Sequence, residues 1–147
     1  MKKKLKIILS CLLIVVLCFV IFHLIYTPQN QQFQSYIDNL IDETDRVEFV
    51  YDWWSKSPEK HNFSGENMKE FMICLEFNFP HKEELCKCMG NPSVNFYSKD
   101  KLLAQFTVHH NNCIRSKKFP VGNIHFTPEG QKRYMTFLSK HNLKDRQ

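Results

Sequence analysis

The sequence predicts an α+β fold: an N-terminal transmembrane helix, then a small domain in which an antiparallel sheet packs against two or three helices. Three observations predict it. Residues 7–26 form a run without a formal charge. The remainder mixes period-two segments with helical stripes. Their order, helix, strand, helix, hairpin, strand, helix, suits an antiparallel sheet covered by helices. The expected organisation is a cytoplasmic basic tail over 1–6, a signal-anchor helix over 7–26, a linker and amphipathic helix over 27–45, and an exported α+β domain over 46–147.

At about 1.5 Å per residue the run 7–26 spans about 30 Å of hydrocarbon, enough for one crossing. Lys2, Lys3, Lys4 and Lys6 precede it and the next charge is Asp38. The positive-inside rule therefore leaves the N-terminus in the cytoplasm and the C-terminal domain outside, as in a single-pass membrane protein. The run is longer than the apolar core of about 7–15 residues in a cleavable signal peptide, and it exits through Leu24, Ile25, Tyr26 and Thr27 rather than small residues. An uncleaved anchor follows. Ile8, Leu9, Ser10 and Cys11 loosely match a lipobox, but too few residues separate Lys6 from Cys11 for a signal core. Cys11 and Cys18 share one helix face and read as small apolar packing residues.

The net charge of +5 suggests nucleic acid until the charges are located, because the four N-terminal lysines supply most of it. The rest carries 16 basic and 15 acidic residues, so no nucleic-acid partner is expected. Residues 27–110 hold 8 basic against 13 acidic residues, and 111–147 hold 8 against 2. We read the basic tail as facing the acidic half of the same domain.

Phe33, Tyr36, Ile37, Leu40 and Ile41 keep helical spacing, which predicts a helix over 31–42. Thr27 and Pro28 predict a break before it, because proline disfavours helical geometry in the preceding residue. A polar linker over 29–32 follows that break. Val47, Phe49 and Tyr51 alternate with Glu48 and Val50, as in a strand entering the core. Residues 52–63, with Pro58 and many polar side chains, read as loop. At its start Trp53 and Trp54 are candidate interaction residues, with at least one of them expected in the core. Ser64 caps a helix carrying Met68, Phe71, Met72 and Leu75. Residues 94–97 and 102–109 form a hairpin around Lys99 and Asp100. Further strands are expected near Ile114 and Ile124. Thr127 and Pro128 start a last helix, with Tyr134, Phe137 and Leu138 buried.

Chemistry concentrates at the hairpin base, in Cys86, Cys88, His109, His110 and Cys113. If Ser98 faces Lys101, paired positions sum to 199, Cys86 lies opposite Cys113, and Cys88 and His109 share that face. Three thiolates and one imidazole make a tetrahedral zinc site, with His110 the alternative ligand. A one-residue shift of register dissolves it. An exported domain meets an oxidising compartment, so a disulfide between Cys86 and Cys113 is the structural alternative. No HExxH, GxSxG, phosphate loop or dinucleotide fingerprint is present, and four glycines leave little room for one.

Two function classes follow. The first is a non-catalytic binding module, held in the lipid bilayer by 7–26 and meeting a protein partner or membrane surface through Trp53 and Trp54. The second is a zinc-binding or thiol-active module using Cys86, Cys88, His109 and Cys113. Beyond zinc no cofactor is expected, and no catalytic residue is assigned.

Overall fold

The structure, a computed structural model, describes residues 2–78, 87–118 and 123–143, without the side chains of 2–9 and 22–30. The chain divides into two units, Met1–Tyr36 and Ile37–Gln147.

The first helix, α1, runs Lys2–Glu43 without the break expected at Thr27 and Pro28, so the linker expected over 29–32 is helical. Proline removes one intrahelical hydrogen bond and costs about 3 kcal/mol. In a 42-residue helix every other added residue contributes a bond once the first turn exists. No helix among the described residues is long and apolar enough to cross a membrane. Of the apolar run only residues 10–21 have described side chains. Of the expected amphipathic stripe, Phe33, Ile37 and Leu40 are buried, and Tyr36 and Ile41 half-buried.

Among the described residues of the second unit, seven strands form one antiparallel sheet in the order β2-β1-β4-β5-β6-β7-β3. They are β1 (Arg46–Tyr51), β2 (Glu59–Ser64), β3 (Phe77–Asn78), β4 (Ser93–Ser98), β5 (Lys101–His109), β6 (Cys113–Ser116) and β7 (Ile124–Phe126). Two helices join them, α2 (Gly65–Met72) and α3 (Pro128–Lys140). Strand β2 lies where loop was expected. Its sequence EKHNFS buries only Phe63, and a strand pairing on one side alone needs no apolar alternation.

Directly paired residues share a face, so the register sorts the sheet into two. Val47, Phe49, Val94, Phe96, Ala104, Phe106, Val108, Ile114, Ile124 and Phe126 fall on one. Helices α2 and α3 cover it: Phe49 meets Phe71 at 5.0 Å and Phe137 at 5.8 Å between ring centroids, and Tyr134 stacks on Phe126 at 5.3 Å. Thr127 caps α3 by accepting a hydrogen bond from the Gly130 amide at 3.0 Å. The basic end does face acidic residues of the other half, through Arg133 to Glu76 and Lys140 to Glu70.

The opposite face is polar near β1 and β4. Glu48, 7 % exposed, accepts hydrogen bonds from Asn95 and Tyr97 and pairs with Lys60. Burial raises its pKa, but these partners outweigh burial and bring it below the ordinary carboxylate value. Further along the same face come Gln105, Thr107 and His109 of β5, then Arg115 and Cys113 of β6.

The hairpin begins in the expected register, Ser98 opposite Lys101 and Tyr97 opposite Leu102. A β-bulge then intervenes and Phe96 faces Ala104, so from there paired positions sum to 200. One extra residue on one strand shifts everything beyond it.

Candidate functional site

The site forms where the segment before β4 meets the end of β5. Asn91 donates its amide to Val108 O at 2.7 Å, and Val108 returns its own to Pro92 O at 2.9 Å, so 91–92 lie along β5. Asp52, at φ +49, locks the β1 end to the same segment. Its amide donates to Asn91 Oδ1 at 3.0 Å, and Asn91 Nδ2 donates to Asp52 Oδ1 at 3.1 Å. The Trp53 indole N–H donates to Gly90 O at 3.1 Å. Gly90 has φ +75, and a Cβ there would stand 2.5 Å from His109 Nε2 and 2.9 Å from Thr107 Cβ. Only a glycine lets this backbone lie against the imidazole.

His109 is 1 % exposed and both ring nitrogens are engaged, Nε2 with Thr107 Oγ1 at 2.9 Å and Nδ1 with Cys88 Sγ at 3.0 Å. Burial, then the positive charge of Arg115 and the neighbouring His110, brings its pKa down to about 4. The ring is neutral at pH 7. His110 and Asn111 adopt left-handed backbone, φ +50 and +53, in the turn from β5 to β6. That turn takes His110 off the strand's alternation and sets its Nε2 3.5 Å from Cys88 Sγ, where the opposite face was expected. Arg115 donates from Nε to Asn123 Oδ1 at 2.6 Å and from Nη1 to Cys88 O at 3.4 Å.

Of the expected cluster, Cys88, His109 and the alternative His110 come together. Cys86 lies outside the described residues. Cys113 pairs across the sheet with His109 and with His125, is 1 % exposed, and directs its thiol to His109 O at 3.5 Å. Among the described residues no three His, Cys, Asp or Glu side chains are placed to hold a metal ion. The bulge moved the register, and β5 ends at His109, so Cys113 belongs to a new strand rather than to the hairpin. Cys113 is a thiol and not half of the expected bridge to Cys86, and no disulfide joins two described residues. Cys88 is itself disulfide-bonded. Cys74 is buried, donates to Glu70 O, and burial pushes its pKa up to about 12.

Neither tryptophan enters the core. Trp53 is 38 % and Trp54 49 % exposed, their rings edge to face at 5.7 Å. The Trp53 N–H needs a partner and finds it in a backbone carbonyl at the surface. Residues that sequence reasoning missed are Thr107, Gly90, Arg115 and the Asp52–Asn91 pair. A glycine one residue before an Asn-Pro dipeptide was the available signal for a close backbone approach.

His109 makes stability depend on pH. Its folded pKa of about 4 lies below its ordinary value of 6.5, so the folded state favours the neutral ring. That stability is complete above pH 6.5 and is lost as pH falls toward 4, by about 2–3 kcal/mol. Denaturant titrations at pH 7.5 and 4.5 should show this loss, and His109→Asn should remove most of it. Equal pH dependence in both proteins refutes the assignment.

The sequence matches no known family model, and comparisons with curated proteins and with solved structures find no match.

Proposed function

We propose that the protein is a single-pass membrane-anchored protein whose α+β unit lies on the extracytoplasmic side and binds another protein through Trp53 and Trp54. The anchor reading draws support from the N-terminal lysines and the uncharged run 7–26. It also draws support from Leu12 to Leu17 and Phe19 to Ile21, all exposed around α1. A helix apolar all round suits a lipid environment.

The observation that carries the binding reading is that the tryptophan pair is exposed yet held. Trp53 is fixed by Gly90 O, and the chain before it by the reciprocal Asp52–Asn91 bonds. Preorganised aromatic side chains lose little entropy on binding and dominate interface energetics.

The test places a photo-reactive residue at position 54 of the full-length chain in cells expressing it. One discrete adduct, reduced about tenfold or more by Trp53→Ala, supports the reading. No adduct from position 54, or the same adducts from exposed Leu102, overturns it.

A further inference from the structure

We propose that the segment taken up at Trp53 and Trp54 is an acidic stretch of the partner protein, with an apolar side chain among aspartates or glutamates. The inference rests on the reading of the tryptophan pair as a contact surface, and it names the chemistry that surface selects.

The apolar part of the surface is wider than two rings. Among the described residues, the large apolar side chains exposed on the second unit are Trp53, Trp54, Ile73, Met89, Leu102 and Met135. Ile73 follows α2, Leu102 lies on β5 and Met135 on α3, each on an element of its own. Trp53, Trp54 and Met89 belong instead to two segments that are bonded together. The Trp53 indole N–H donates to Gly90 O, and Asp52 and Asn91 exchange two further hydrogen bonds. Met89, 56 % exposed, adjoins Gly90 in the chain. A fixed ring pair next to an adaptable thioether is a surface for an apolar anchor.

The charge on these segments runs against that of their surroundings. Residues 27–110 hold an excess of acidic residues, 13 against 8 basic. Lys56, in the loop that carries both tryptophans, and Lys87, two residues before Met89, are nevertheless exposed cations. Strand β6 brings a third, Arg115, whose Nη1 donates to Cys88 O at 3.4 Å while Nε donates to Asn123 Oδ1 at 2.6 Å. Two carboxylates stand at this end of β1 and β2, and both are engaged: Asp52 by Asn91 Nδ2 and Glu59 by His61 Nε2 at 3.0 Å. An apolar patch rimmed by cations draws in an acidic segment and repels a basic one. Rim charges of this kind act over about 10 Å at 0.1 M salt and set encounter rate and choice of partner.

An anionic lipid surface shares this chemistry, and the indole N–H argues against it. Tryptophan suits a lipid interface because its ring is apolar while its N–H meets water and headgroups. The Trp53 N–H is turned to a carbonyl of its own chain, which keeps only the ring for a ligand.

The test uses the full-length chain in cells expressing it, with the photo-reactive residue at position 54. It reads the adduct yield and, by mass spectrometry, the segment that is joined. Reversing two charges together, Lys56→Glu with Lys87→Glu, should lower the yield about fivefold or more, and the two Lys→Gln changes should lower it less. Lys132→Glu, at an exposed position on α3, should leave it unchanged. The joined segment should hold more acidic than basic residues. An adduct that depends on Trp53 but not on Lys56 and Lys87, an equal loss from Lys132→Glu, or a joined segment of net positive charge overturns the acidic class while the tryptophan reading stands. An adduct with the mass of a lipid assigns the patch to the membrane and overturns both. No adduct at all overturns the tryptophan reading, and this proposal with it.

Discussion

Replacing Phe49 by alanine is expected to cost about 3–5 kcal/mol of folding stability, the range for removing a large aromatic side chain from a packed core. Phe49 is fully buried, and its ring meets those of Phe63, Phe71 and Phe137. These partners come from β2, α2 and α3, so one side chain joins the sheet to both helices that cover it. Deleting it leaves a cavity that three elements must collapse together to fill, which puts the loss at the upper end of the range. Urea titration of the full-length chain in micelles, followed by tryptophan fluorescence, measures it. Leu102→Ala, at a side chain 49 % exposed, is the control and should cost under about 0.5 kcal/mol. Similar losses at the two positions would contradict this account of the core.

Gly90→Val is expected to cost about 3–4 kcal/mol, although the residue lies outside every helix and strand. Two penalties add. A non-glycine residue in left-handed backbone costs about 1–2 kcal/mol, and overpacking costs about 1–3 kcal/mol. The atom in the way, His109 Nε2, belongs to a ring held at both nitrogens, so it cannot swing aside as a surface side chain would. The variant should also release Trp53 from the Gly90 carbonyl, red-shifting its emission in the folded state. A Gly90→Val protein with wild-type stability and emission would show that the segment does not lie on the imidazole.

The elements that sequence reasoning located are those whose apolar residues recur with a clear period. Val47, Phe49 and Tyr51 mark β1, the spacing from Met68 to Leu75 marks α2, and the Thr127-Pro128 cap marks α3. It missed β2 and β3 for a shared reason. Both lie at sheet edges, where one neighbour suffices and the side chains need not alternate. The helix break at Pro28 failed differently: a local penalty was weighed without the length of helix on either side of it. At the site the pairing arithmetic failed beyond the bulge, and Cys88 meets His109 where the segment through Gly90 lies against the ring. A bulge carries no sequence signature in LLAQF, yet one extra residue changes which side chains meet. The position of His110 depended on left-handed backbone at a histidine and an asparagine, which composition does not announce.

The two ends of the sheet have a bearing on how many copies of the chain can share a small area. One edge is β2, whose exposed Lys60, Asn62 and Ser64 offer a charged and polar border. The other is β3, only two residues long. An edge of either kind is a poor template for strand addition by a neighbour, because charge and brevity leave few open backbone groups to zip onto. The proposed membrane tether would confine molecules to two dimensions and raise their encounter rate. Borders that refuse strand-to-strand growth would let this domain crowd without polymerising.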